Sequence, residues 1–187
     1  MKIDQHKKAW YVVRVHNMSF DRTRRRLEEL GFEIFIPEYF DIIILNGKKV
    51  KSLIPALKDI FFIYATYDQI ERLITQQKLP LKFYYSHCSH IQNDALWVRE
   101  EDMKMFMLAL KELDRKPMIH AYNDLNLSAG QYVRILSGQF EGVEGYCLQL
   151  VRGQRKRLVL TLGNLISVSL ILNPDDLIEQ LPSPTQP

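Results

Sequence analysis

The sequence has 187 residues, of which 47% are hydrophobic and 25% charged. That is an ordinary globular composition, which excludes a wholly disordered chain and leaves room for one large domain or two small ones. The net charge of +3 is too mild to announce a nucleic-acid binder, but residues 1–116 hold 20 of the 25 Lys+Arg and 16 of the 22 Asp+Glu. Attraction to phosphates should therefore centre on the N-terminal part.

In chain order, residues 10–15 are aromatic and β-branched and predict a strand. A helix follows, with Ser19 or Asp21 as its N-terminal cap and Gly31 at the left-handed position past its end. Phe20, Thr23, Leu27 and Leu30 recur at helical spacing and give its buried face. Residues 32–37 predict a second strand. Residues 41–45 and 48–53 flank Asn46-Gly47, a pair that tolerates the positive φ angles of a two-residue hairpin turn. The apolar run 60–64 predicts a central strand, 68–76 a short helix with Ile70, Leu73 and Ile74 inward, and 83–85 a last strand. Residues 100–113 predict a third helix, acidic in its first turn and apolar at Met103, Phe106, Met107 and Leu110.

This order predicts an α+β sandwich over residues 1–115, with helices on one face of a mainly antiparallel sheet. Periodicity fades over 116–127, which predicts a linker. From 128 to 178, short strands at 132–136, 145–151, 157–162 and 165–172 alternate with glycine-bearing turns and predict a small all-β barrel. The proline-rich residues 179–187 predict a disordered tail.

Cys88 and Cys147 are far apart and make neither a disulfide framework nor a zinc pattern. The polar residues 1–8 predict no signal peptide, and no apolar run approaches the roughly 20 residues of a membrane span. The expectation is a cytoplasmic, reduced protein with no membrane partner. His87-Cys88-Ser89-His90 offers metal-ligand types, but no second cluster completes a zinc site, and it reads as a polar loop. Glu100-Glu101-Asp102 and Asp175-Asp176 read as helix-start acids. There is no phosphate-binding glycine loop, no Gly-x-Ser-x-Gly and no catalytic triad. The expectation is therefore no enzyme, no cofactor and no metal.

Two segments together resemble one family. The first is Trp10-Tyr11-Val12-Val13, a helix, a strand ending in Ile36-Pro37, a basic hairpin, and Leu53-Ile54-Pro55 ahead of an apolar strand. This order is similar to the NGN domain of NusG-type transcription elongation and antitermination factors. The second runs from Gly130 through Tyr132, Gly138, Phe140 and Gly142 to Gly145. It is similar to the KOW motif, in which a strand leads into a Gly-x-Phe-x-Gly loop and a second strand, and it implies an SH3-like KOW barrel. The resemblance covers about residues 9–172. The family's usual Phe-Pro-Gly-Tyr stands here as Ile54-Pro55-Ala56-Leu57, Lys58-Asp59 look inserted, and Gln139 replaces the usual proline before the KOW phenylalanine. These departures imply a specialised paralogue, of the kind that serves surface-polysaccharide operons.

The resemblance implies a monomeric adaptor that binds the RNA polymerase clamp helices and suppresses pausing and termination. It assigns polymerase contact to Tyr11, Ile54, Pro55, Leu57, Phe61 or Phe62, and Phe83. The bland alternative is that most of these are core. Arg22, Arg25 and Arg26 are spaced i, i+3, i+4 and share a helix face, where guanidinium groups can neutralise phosphates or stack on unpaired bases. The family places this helix near the non-template DNA strand at the transcription bubble, and Arg14 and His16 could extend the patch. Its alternative is a solvated face balanced by Glu28 and Glu29. For the KOW part the resemblance implies binding of ribosomal protein S-ten, Rho or nascent RNA through Phe140, Arg152, Arg155, Lys156 and Arg157. A competing reading is a KOW-type RNA-binding module of ribosomal-protein type without polymerase binding, which leaves residues 9–113 unexplained.

Overall fold

The computed structural model describes residues 7–16, 19–85, 95–111, 117–121, 130–148, 156–162 and 166–183. By backbone contacts the chain divides into two units, Met1–Glu38 with Pro55–Glu100, and Tyr39–Ile54 with Glu101–Pro187. The elements in order are β1 (Ala9–Val15), α1 (Phe20–Glu29), β2 (Glu33–Phe35), β3 (Glu38–Leu45), β4 (Lys48–Pro55), β5 (Ile60–Ala65), α2 (Tyr67–Thr75), β6 (Leu81–Phe83) and β7 (Trp97–Val98). Then follow α3 (Glu100–Lys111), β8 (Met118–Ala121), β9 (Gln131–Ile135), β10 (Glu144–Leu148), β11 (Arg157–Leu162), β12 (Ile166–Ile171) and β13 (Ile178–Gln180).

The first unit is built on a sheet of order β2-β5-β1-β6, with β7 also pairing β1. Side chains alternate across a strand, so β1 has two faces. Tyr11, Val13 and Val15 share one face with Phe61, Ile63 and Ala65 of β5, and α1 and α2 add Leu27, Ile70 and Leu73 to the same buried cluster. Phe20 meets Phe61 edge-on at 4.6 Å, and Tyr67 stacks on Phe83 at 4.6 Å. Each fully buried side chain of this size stabilises the fold by about 1.5–3 kcal/mol.

The helix ends follow from local chemistry. Past α1, Gly31 takes φ 74°, and Gly31 N–H and Phe32 N–H donate to the carbonyls of Glu28 and Leu27. This pair of bonds closes the helix in a Schellman motif. Ser19 does hold the N-cap position of α1, but its side chain makes no capping bond. The better cap lies on α2: Thr66 accepts from the Gln69 N–H while the Gln69 side chain accepts from the Thr66 N–H. That reciprocal box satisfies two otherwise free donors. Asn46 and Gly47 take φ 50° and 75° and join β3 to β4, as their sequence requires. At the hairpin root, Ala56 N–H donates to Pro37 O at 2.7 Å.

The second unit contains an antiparallel sheet of order β13-β9-β10-β11-β12-β8. Two of its strands depart from the sequence expectation. Residues 116–127 were expected to be a linker, yet β8 pairs with β12, setting Ala121 opposite Ile166 and Met118 opposite Ser169. Residues 179–187 were expected to be disordered, yet β13 pairs with β9, setting Glu179 opposite Arg134. Arg134 also faces Glu144 of β10 at 2.6 Å, so one cation stands between acids on both neighbouring strands. Each of these strands is very short and is defined by a partner remote in sequence, which local patterns along the chain do not reveal. At the β9–β10 connection, Gly138 and Gly142 take φ 92° and 82°. A Cβ at Gly138 would collide with the Asp176 carboxylate, and Ser137 Oγ accepts from Leu177 N–H at 3.0 Å. In α3 the buried residues are Met103, Phe106, Ala109 and Leu110, with Met107 only half-buried.

Two outcomes test this description. A Cβ on Gly145 would stand 2.6 Å from the Val159 backbone carbonyl, so Gly145→Ala should destabilise the second unit by about 1–3 kcal/mol in urea denaturation. Tyr132 hydroxyl donates to Glu144 at 3.4 Å, and burial, then the Glu144 charge, push its phenol up to about 12. Its folded value thus lies above the unfolded value of about 10, so this stabilisation is complete below about pH 10 and is lost as pH rises toward 12. Circular dichroism at stepped pH should show a shallower stability loss across this window in Tyr132→Phe than in the wild type.

Candidate functional site

The helices position the cationic side chains. On α1, Thr23 and Leu27 are buried against the sheet, which leaves Arg22, Arg25 and Arg26 exposed on the outer face. Arg26 gives its charge to Glu29 at 3.1 Å, in a surface pair of the kind worth at most about 1 kcal/mol. Arg22 and Arg25 have no carboxylate partner among the described residues. All three side chains are exposed on α1, and one of their charges is partly balanced by Glu29.

Arg24 is a different case. It reaches Glu38 at 2.9 Å and Glu28 at 3.2 Å. Burial opposes its charge, but Glu38 and Glu28 outweigh this and leave its pKa raised. Glu38 is only 15% exposed, so this bond fixes α1 to the first residue of β3. Nothing local in the sequence signals it, because the partners lie 14 residues apart.

Arg14 does not join the α1 face. Its neighbours Val13 and Val15 point into the helix-covered core, so alternation sends Arg14 to the other side of the sheet. There its guanidinium lies over the Tyr84 ring at 5.6 Å, and β1–β6 pairing sets it opposite Lys82. Like charges directly opposite repel. His16 is exposed directly after β1. The five residues expected to form one nucleic-acid patch are thus divided: three lie on the outer face of α1, and Arg14 lies across the sheet.

The apolar residues expected to meet a partner are mostly inside. Tyr11, Phe61 and Phe83 belong to the core cluster under α1 and α2, the first two fully buried and Phe83 9% exposed. Phe62, of opposite parity, is also fully buried. Ile54, Pro55 and Leu57 keep part of their surface exposed. Tyr11 and Phe61 lie on the interior strands β1 and β5 and fill the layer beneath the helices.

In the second unit, Phe140 is buried in its loop at 4% exposure, with Gly142 N–H donating to Ile135 O and Val143 N–H to Phe140 O. Lys156 is exposed and Arg157 half-buried. Arg152 and Arg155 lie outside the described residues, as does the segment His87-Cys88-Ser89-His90. Among the described residues, no group of three or more His, Cys, Asp or Glu side chains is placed to hold a metal ion. Among the described residues, no helix is long and apolar enough to cross a membrane. Burial pushes the Cys147 thiol up, which disfavours its reactive thiolate.

An α+β unit with a cationic helix face is followed in the chain by an antiparallel sheet. A family model described as NusG, transcription termination factor nusG, matches residues 8–107, just over half of the chain. The chain belongs to the NusG family. Proteins of this family are transcription factors that bind RNA polymerase and carry out no catalysis. A similar solved structure is described as "Domain interaction in Thermotoga maritima NusG"; it is 16% identical, covers 96% of this chain and 100% of that chain, and has a TM-score of 0.43. No curated protein matches the chain.

The Arg24 bond makes a sharp comparison. Glu38→Gln should lower the melting temperature, because it leaves a part-buried guanidinium short of a charge partner. Glu29→Gln, at an exposed pair, should change it by no more than about 1–2 °C. Differential scanning calorimetry of the two variants separates them.

Proposed function

We propose that this chain is a transcription elongation and antitermination factor that binds RNA polymerase through its N-terminal, NGN-like part and suppresses pausing and termination in long operons. The family match over residues 8–107 carries this reading. The exposed Arg22 and Arg25 on α1 support a contact with the non-template DNA strand, since guanidinium groups without internal partners keep their charge for phosphate. Mechanistically the factor would hold the polymerase clamp closed by binding that state better than the open one, which is a population shift and needs no chemistry.

The second unit fits a KOW-like barrel. Supporting this are the strand, glycine loop and strand of β9, Gly138–Gly142 and β10, with Phe140 turned inward. On this reading its boundaries extend beyond the residues 128–178 first expected, to take in β8 and β13. Lys156 and Arg157 remain for a partner such as ribosomal protein S-ten, Rho or nascent RNA, while Phe140 serves the loop. The departures at Ile54-Pro55-Ala56-Leu57 favour a specialised paralogue over the general factor.

The test is co-purification with RNA polymerase together with a terminator read-through assay. The wild-type chain should bind polymerase and raise read-through. Arg22→Ala/Arg25→Ala should keep polymerase binding, lose crosslinking to the non-template strand, and reduce the salt slope of DNA association by about 1–2. Retained RNA binding without any polymerase binding would instead favour the ribosomal-protein type of module.

A further inference from the structure

The β3–β4 hairpin carries six of the nine large hydrophobic side chains that stand exposed among the described residues: Phe40, Ile42, Ile44, Leu45, Val50 and Leu53. Ile44 is 74% exposed and Ile42 64%. A concentration of apolar surface on one short ribbon is far from the scattered single residues of an ordinary surface, and it marks a place that a partner covers. Among the described residues β3 and β4 pair only with each other.

The remaining chemistry of the ribbon is cationic. Lys48, Lys49 and Lys51 are exposed, and Lys51 Nζ lies over the Phe40 ring at 4.5 Å. Within residues 39–54 the acid is Asp41, whose Oδ1 accepts the N–H of Ile42. The occupant must therefore bury apolar side chains and also meet positive charge. A second copy of the chain would bring lysine against lysine, and lysines on an edge strand oppose such pairing. A nucleic acid would satisfy the lysines but would set its charged backbone against the isoleucines. A protein surface with an apolar centre and a carboxylate rim satisfies both demands.

We propose that this hairpin is a second foothold on RNA polymerase, docking in an apolar depression rimmed by acidic residues. The proposal rests on the polymerase reading above, and it assigns the contact to residues distinct from the α1 arginines.

Binding of the full chain to purified RNA polymerase tests it. Ile42→Thr/Ile44→Thr keeps β-branching and alters only exposed positions, so circular dichroism should show an intact fold. Val50→Thr/Leu53→Thr serves as a second pair should the first fail to fold. Each pair should weaken polymerase binding about tenfold or more. Lys48→Glu/Lys49→Glu/Lys51→Glu should weaken it most at low salt and approach the wild type as salt screens the charges. A photoreactive side chain at position 44 should crosslink to a polymerase subunit. Wild-type binding with unchanged affinity in the folded variants overturns the proposal alone, as does a crosslink to DNA or to a second copy of this chain. Failure of the wild type to bind polymerase overturns the polymerase reading and this foothold together.

Discussion

In the antiparallel pairing of β1 with β5, Tyr11 stands opposite Ile63 and Val13 opposite Phe61. A slip of one residue would turn Arg14 into the helix-covered layer and Tyr11 and Val13 out of it. Burial of a guanidinium against Leu27 and Ile70 would be costly, so the register is strongly specified. The rest of the first unit depends on that parity. It gives α1 and α2 an apolar floor, orients the outer arginines of α1 toward solvent, and sends Arg14 across the sheet to Tyr84.

The same parity divides labour among the aromatic residues. Those on interior strands hold layers together, so they are poor candidates for contact however aromatic the segment looks. Exposed surface is left to elements with one or no packed neighbour: the outer face of a helix and a two-stranded ribbon. Arg24 sits at the junction of these roles. Arg25 beside it faces water, whereas the Arg24 guanidinium is held by Glu28 and Glu38.

Much of this architecture was legible in the residues. The α1 core positions, the Gly31 termination, the Asn46-Gly47 turn and the main strands of the second unit all rest on local rules of spacing and φ, and such rules can be read along a chain. Other features need a partner from elsewhere. The opposition of Arg14 and Lys82 exists only because β6 pairs with β1, and β8 and β13 become strands only because β12 and β9 receive them. The expected polymerase contacts follow motif position, which does not distinguish a strand's inner face from its outer one. In the hairpin, Ile42, Ile43, Ile44 and Leu45 form an apolar run beside a tight turn, and a ribbon apolar on both faces cannot bury both by itself.

The sheet of the second unit has an uneven wiring. Its interior ladder joins neighbours in sequence, β9 to β10, β10 to β11 and β11 to β12. Its two borders join segments from opposite ends of the unit, Met118 with Ser169 and Ile178 with Ile135. Short loops close quickly and long ones slowly, so the meander should zip first and the borders arrive last. During synthesis β9 therefore waits with an open edge until residues 178–180 emerge, and Ser137 and Gly138 cannot lock onto Leu177 and Asp176 until then. The interval before that final closure is when this sheet is most vulnerable to mispairing with another chain.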